Sequence, residues 1–178
     1  MKNASKNLLL CVSASLLLFA CDKKDNNNNT QNLNQQDRTF ISQTSLSNTA
    51  EVNSGGLADT TANDPMVKTF GQQMVSDHTI AQAELKTLGS NVGVGTPDSV
   101  DAKHAALMDT LMTLSGRAFD SVYIMNQIAD HQMVIDHFEE EVNSGNKTDV
   151  INYANKYLPK LQMHLQMADS IANVMNFK

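Results

Sequence analysis

The chain has 178 residues, 13 of them basic and 19 acidic, for a formal net charge of −6. Removal of Lys2 and Lys6 with an export signal leaves 11 basic against 19 acidic residues, a net of −8, which disfavours nucleic acid as a partner and is permissive for cations. Trp is absent, Pro occurs three times and Met ten times, a composition that suits helix-on-helix packing and argues against strands.

Residues 1–20 have the parts of a lipoprotein signal peptide. Lys2 and Lys6 precede an apolar stretch from Leu8 to Phe19, too short to span a bilayer but long enough for a signal core. The ending Leu18-Phe19-Ala20-Cys21 resembles a lipobox, with Phe19 bulkier than usual at its position. Cys11 leaves with the signal, so the mature chain keeps one cysteine. An unpaired thiol is a liability in an oxidising compartment, and a thioether to diacylglycerol on Cys21 removes it. Two or three acyl chains hold a protein firmly on a membrane. The alternative is an ordinary secretory signal in which Cys21 is incidental. Residues 22–36, Asp-Lys-Lys-Asp and then an Asn/Gln run, offer almost nothing to bury and read with Cys21 as a tether. Fifteen such residues reach roughly 20 Å by coil statistics.

Residues 37–178 are of single-domain size. Asp37 to about Thr61 carries Phe40, Ile41, Leu46, Val52 and Leu57 among many polar residues and Gly55-Gly56, the weakest helical pattern in the chain. Asp64-Pro65 reads as a helix start, with Val67, Phe70, Met74, Leu85 and Leu88 as its stripe and Gly89 as its end. Gly93 to Pro97 forms a loop before a shorter helix near residues 99–114. Phe119, Tyr123, Ile124, Ile128, Ile135, Phe138 and Val142 recur at helical spacing, as do Ile151, Ala154, Leu158, Leu161, Leu165, Ala168, Ala172 and Met175. Asn143 to Asn146 is the turn between them, and Pro159 should kink the last helix or expose a carbonyl. The pattern predicts an all-α fold, four long helices in two hairpins with a short extra helix. Ser76-Asp77-His78 and Ala129-Asp130-His131 repeat Asp-His in mid-helix, an echo that fits either duplication or convergence.

Asp37-Arg38-x-Phe40, Ala50-Glu51-Val52, Phe70-x-x-x-Met74-Val75-x-Asp77-His78, Leu114-Ser115-Gly116-x-x-Phe119-Asp120-x-x-Tyr123, Asp130-His131 and Leu158-Pro159-x-Leu161-x-x-His164-Leu165 resemble the bacterial domain-of-unknown-function 4142 family, often described as exported or outer-membrane proteins. The resemblance runs from about residue 37 to 172 and departs from the family around 42–56, where this chain is more polar. It implies a ferritin-like four-helix bundle in an exported protein and supplies no established activity.

One constellation could carry chemistry. Counted from the hairpin turns at 1.5 Å per residue, Glu51, His78 and His131 fall at similar depth, about 18, 22 and 21 Å. His164 falls about one turn further, at roughly 28 Å. Inward His and Glu from facing helices are how bundles build metal sites, so these four are candidate ligands for iron, zinc or copper. Asp77 and Asp130 lie on rotated faces and suit hydrogen bonding to the ligands. The competing account makes each His a core residue with a satisfied hydrogen bond. A di-iron centre needs Glu-x-x-His on two helices, and only Asp101-x-x-His104 approximates it. The pairs Met74/His78, His104/Met108, Met133/His137 and His164/Met167 share helix faces and would suit Cu(I), although Met also fills gaps in bundle cores. No phosphate loop, nucleophile elbow or free nucleophilic Cys is present. The reading is therefore a non-catalytic binding or envelope-stress module in the cell envelope, with a metal-binding bundle as the alternative. If Cys21 is the anchor, Cys21→Ser will release the protein from membranes or block its processing. Fractionation of the variant with membranes like wild type would refute the anchor.

Overall fold

The computed structural model describes residues 32–177. The signal peptide, Cys21 and the tether up to residue 31 lie outside the described residues. Five helices follow: α1 (Gln35–Thr61), α2 (Pro65–Val92), α3 (Ala102–Met112), α4 (Gly116–Ser144) and α5 (Thr148–Met175). No strand occurs among the described residues.

The helix starts follow from their caps. Asn34 and Asp37 form a reciprocal capping box, so α1 begins two residues ahead of the boundary expected at Asp37. Asp64 accepts from the Met66 N–H with Pro65 at the first helical position, and Asp101 accepts from the His104 N–H. The polar first segment is helical throughout, Gly55-Gly56 included. Its weak pattern has a structural cause, because much of what α1 buries is polar: Asp37, Thr44, Ser45, Asn48, Glu51 and Ser54.

α2 runs past Gly89 and stops at Gly93, whose φ of 72° is the left-handed conformation that glycine adopts without strain. Gly89 is instead a point of close approach. A Cβ there would sit 2.7 Å from Thr96 Cγ2 and 2.8 Å from the Val94 carbonyl oxygen, so the loop folds onto a bare helix surface. α5 is continuous through Pro159. The carbonyl that proline leaves without its helical donor belongs to Asn155, which is exposed to water.

α1 packs on α2 and α4, and α5 on α4 and α2, so α2 and α4 occupy opposite corners. Asp120 near the start of α4 accepts from the Asn63 and Asp64 N–H groups at 2.9 and 3.0 Å. α4 therefore starts at the same end as α2 and runs parallel to it. The segment from Gly93 to Ser115, α3 included, returns along the bundle; one long crossover of this kind is the connectivity of ferritin-like folds. Two apolar clusters fill the interior. One, with Val67, Phe70, Met74, Leu111, Phe119 and Ile171, lies toward the Asn63 end. The other, with Phe40, Leu85, Ile135, Phe138, Val150 and Leu161, lies toward the α4–α5 turn.

Each end is closed by a buried carboxylate. Asp37 Oδ1 accepts from the Asn146 and Lys147 N–H groups at 2.9 and 3.0 Å, as Asp120 does at the other end. α5 has no side-chain cap of its own, so Asp37 serves the start of that helix from α1. Asp120→Ala should leave the Asn63 and Asp64 N–H groups without their acceptor and lower the unfolding free energy by ~1–3 kcal/mol, read from urea denaturation midpoints. A change within ±0.5 kcal/mol would remove the clamp.

Candidate metal centre

Between the two apolar clusters lies a polar layer built from all four long helices. α1 supplies Asn48 and Glu51, α2 supplies Asp77 and His78, α4 supplies Gln127 and His131, and α5 supplies His164; all are buried. His78, His131 and His164 each offer a ring nitrogen within 4.8 Å of the others'. The rings are 5.4 to 5.9 Å apart between centroids.

His164 is not one turn beyond the others, as residue counting suggested, but level with them. The count ignored side-chain direction. Helical side chains tilt toward the helix N-terminus. On α4 that carries the His131 ring away from the α4–α5 turn, and on α5 it carries the His164 ring back toward it. Their nitrogens consequently meet, His131 Nε2 to His164 Nδ1, at 3.3 Å.

The other nitrogen of each ring faces an acceptor. His131 Nδ1 lies 3.0 Å from the Gln127 carbonyl oxygen, and His164 Nε2 lies 2.9 Å from Asp77 Oδ2. Neither acceptor can donate, so those two nitrogens carry the ring protons. His78 Nδ1 lies 2.9 Å from Asn48 Oδ1, and its Nε2 is buried with no hydrogen-bond partner. Water-sized cavities of about 10 Å³ border His78 on two sides, one shared with His164 and Asp77, the other with His131 and Glu51.

Burial, aided by the neighbouring rings, pushes His78 well below the usual imidazole value of 6.5. Burial likewise lowers His131 to about 4 and also lowers His164, against the pull of Asp77. All three are neutral at physiological pH, which is the ligating form. Burial would raise Asp77, but bonds from Lys160, Gln73 and His164 outweigh it and hold the carboxylate at about 2. Lys160 Nζ reaches Asp77 Oδ1 at 2.8 Å from a partly exposed position.

Glu51 is close to the trio but on its far side. It accepts from Gln127 Nε2 at 2.7 Å, and its Oε1 is 3.9 Å from His131 Nδ1, the nitrogen that carries the proton. Burial raises it to about 7. Asp77 hydrogen bonds to a trio member, whereas Asp130 does not: it pairs with Lys103 and lies 3.6 Å from His104 Nε2. Asp101, the carboxylate of the approximate di-iron motif, is the cap of α3 and lies 2.9 Å from His104 Nδ1. Met74 is buried in an apolar cluster and Met167 packs against it, while Met133 is half exposed.

Asn48, Gln127 and Lys160 were not singled out from the sequence. Gln127 serves His131 through its backbone carbonyl, which any residue at that position would offer, and its side chain donates to Glu51 on another helix, so its residue type carried no local signal. Asn48 had none either, since its partner His78 sits on another helix.

A family model described as domain of unknown function DUF4142 matches residues 22–171, and the chain belongs to that family. Comparison of the sequence with curated proteins finds no match. The fold is similar to the crystal structure of a DUF305 fragment from Deinococcus radiodurans, at 12% identity and TM-score 0.69, covering 80% of this chain and 98% of that one. It is also similar to a DUF305 protein from Streptomyces coelicolor, at 11% identity and TM-score 0.70, covering 80% and 94%.

The polar layer makes stability depend on pH from both sides. Glu51 titrates higher folded, at about 7, than the 4.5 of an exposed carboxyl, so its contribution is complete below pH 4.5 and is lost as pH rises through about 7. The histidines titrate below 6.5, so theirs is complete above 6.5 and is lost as pH falls, for His131 through about 4. Glu51→Gln keeps an oxygen for Gln127 and should flatten the alkaline limb. Relative to wild type it gains ~2–3 kcal/mol between about pH 4.5 and pH 8, measured by denaturant unfolding at each pH. Parallel curves would show that Glu51 is already ionised near neutrality.

Proposed function

We propose that this DUF4142 chain is a lipid-anchored envelope protein whose bundle binds a transition-metal ion through His78, His131 and His164, as a non-catalytic module. The observation that supports this most directly is the 3.3 Å approach of His131 Nε2 and His164 Nδ1. Each ring has its proton committed to an acceptor on the other nitrogen, so the two nitrogens that meet both present lone pairs. Facing lone pairs repel unless a cation lies between them. An ion about 2.0–2.1 Å from each imidazole in tetrahedral geometry holds the two nitrogens roughly 3.3–3.4 Å apart, so this pair already has ligand spacing.

The surroundings suit the same purpose. Asp77 behind His164 is a carboxylate–histidine pair, the arrangement that fixes ring orientation and raises ligand basicity. Asp77, held ionised, offers negative charge to balance a dication in a dry layer. Three imidazoles without a thiolate or carboxylate ligand suit zinc, iron or copper. Cavities of about 10 Å³ border the trio, space on the scale of an ion or a water molecule. A Cys21 anchor would keep that ion-binding domain at a membrane surface.

Calorimetric titration of the exported chain carrying Cys21→Ser, with Zn(II), Fe(II) and Cu(I), tests the reading. At least one ion should bind at one per chain. At a hundredfold excess over its Kd it should add about 2.7 kcal/mol to stability. The double variant His78→Gln/His131→Gln should lose binding. Absence of a binding heat with all three ions would remove the proposal and leave a hydrogen-bonded histidine core.

A further inference from the structure

Resting on the metal-binding reading above, a second feature concerns how His78 comes to present its bare nitrogen. The relay starts at the crossover. The Pro97 carbonyl oxygen accepts from Ser45 Oγ at 3.0 Å, and a backbone carbonyl can only accept. Ser45 has spent its proton there, so it must accept from Gln82 Nε2, at 2.8 Å. Gln82 Nε2 also faces Asp98 Oδ1, a second acceptor, at 3.5 Å. With the nitrogen of its amide fixed, Gln82 turns Oε1 toward Asn48 Nδ2, at 3.3 Å. Tyr153 donates its hydroxyl to the Ala81 carbonyl at 3.1 Å and is thereby left to accept from the same Asn48 Nδ2, at 3.4 Å. Asn48 can then offer only Oδ1 to His78, at 2.9 Å.

We infer that Ser45, Gln82 and Asn48 are positioning residues that carry the polarity of the Pro97 carbonyl to His78, place its proton on Nδ1 and leave Nε2 free to bind the ion. Ser45, Gln82 and Asn48 are buried, so water does not compete for the bonds between them. The reverse orientation fails at one point: a flipped Asn48 would set Oδ1 against Gln82 Oε1 and turn an N–H toward His78 Nδ1. His78 would then carry its proton on Nε2 and be lost as a ligand through that atom. His131 and His164 need no such relay, since a backbone carbonyl and a carboxylate fix them directly.

Nitrogen-15 NMR of the imidazole rings reads the protonated nitrogen in the metal-free chain carrying Cys21→Ser, at about pH 8. His78 should carry its proton on Nδ1. Gln82→Met removes the amide of similar length and should move a substantial share of His78 to the Nε2–H form, with metal affinity weakened about 10- to 100-fold. Adding Asn48→Asp to that variant should restore Nδ1–H, because a carboxylate offers only acceptors whichever way it turns; a purely structural role for Gln82 would show no such rescue. If Gln82→Met does not fold, Ser45→Ala gives the same reading with one hydroxyl removed. An Nε2–H ring in the parent chain, or an Nδ1–H population unmoved in every variant that folds, overturns the relay. The NMR result needs no metal. A relay confirmed in a chain that binds no ion would therefore remove the proposed function and leave this inference standing, and the opposite pair of results would do the reverse.

Discussion

A buried polar group must find a partner, and this bundle buries a full layer of them across its middle. Asn48, Glu51, Asp77, His78, Gln127, His131 and His164 separate the apolar cluster around Phe70 and Phe119 from the one around Phe40 and Phe138. An apolar core tolerates sliding and repacking, because one hydrophobic neighbour replaces another at little cost. A hydrogen-bonded layer does not, since a shift of one turn leaves donors and acceptors unpaired in a medium where each costs about 1–3 kcal/mol. The register of the four long helices is thus set at mid-height. The carboxylates at the ends follow the same rule: Asp37 closes the α4–α5 turn from α1, and Asp120 closes the α1–α2 turn from α4. Each hairpin supplies a carboxylate that closes the other's turn, which fixes their pairing as well as their height.

How far this was legible in the sequence depended on whether a residue's role is local. The stripes of α4 and α5 and the start of α2 at Asp64-Pro65 are set by near neighbours, and the structure has them where periodicity placed them. α1 was the weakest pattern because a helix face that contributes to a polar layer does not alternate apolar with polar. Gly89 looked like a stop because glycine ends helices. Here it makes room for Thr96 and the Val94 carbonyl, an approach made by chain several residues further on.

The site shows a similar division. That three histidines turn inward could be read from spacing, because inwardness is a property of one helix. Which nitrogen each ring presents could not, because it depends on partners from other helices: Asp77 on α2 for His164 on α5, and Asn48 on α1 for His78 on α2. Glu51 was at the right depth, yet depth does not specify which side of a ring a carboxylate reaches. It lies beside the protonated nitrogen of His131 and does not face the centre of the trio.

The repeated Asp-His pair carries the argument one step further. If it descended from duplication of a helical hairpin, the repeats would sit on corresponding helices, first with first or second with second. They sit on the second helix of one hairpin and the first of the other, α2 and α4, which run parallel at opposite corners. The reciprocal Asp37 and Asp120 clamps do correspond, both near the start of a first helix. The two histidines keep a common role at the centre, while their aspartates diverge: Asp77 holds His164, and Asp130 ties α4 to Lys103 and His104 of the crossover helix. Parallel helices at opposite corners tilt their side chains in the same direction along the bundle. Two inward histidines at matching positions on such helices therefore arrive at the same height, and a third from an antiparallel neighbour closes the triangle. This geometry accounts for the paired histidines without duplication, while the aspartates beside them serve different partners.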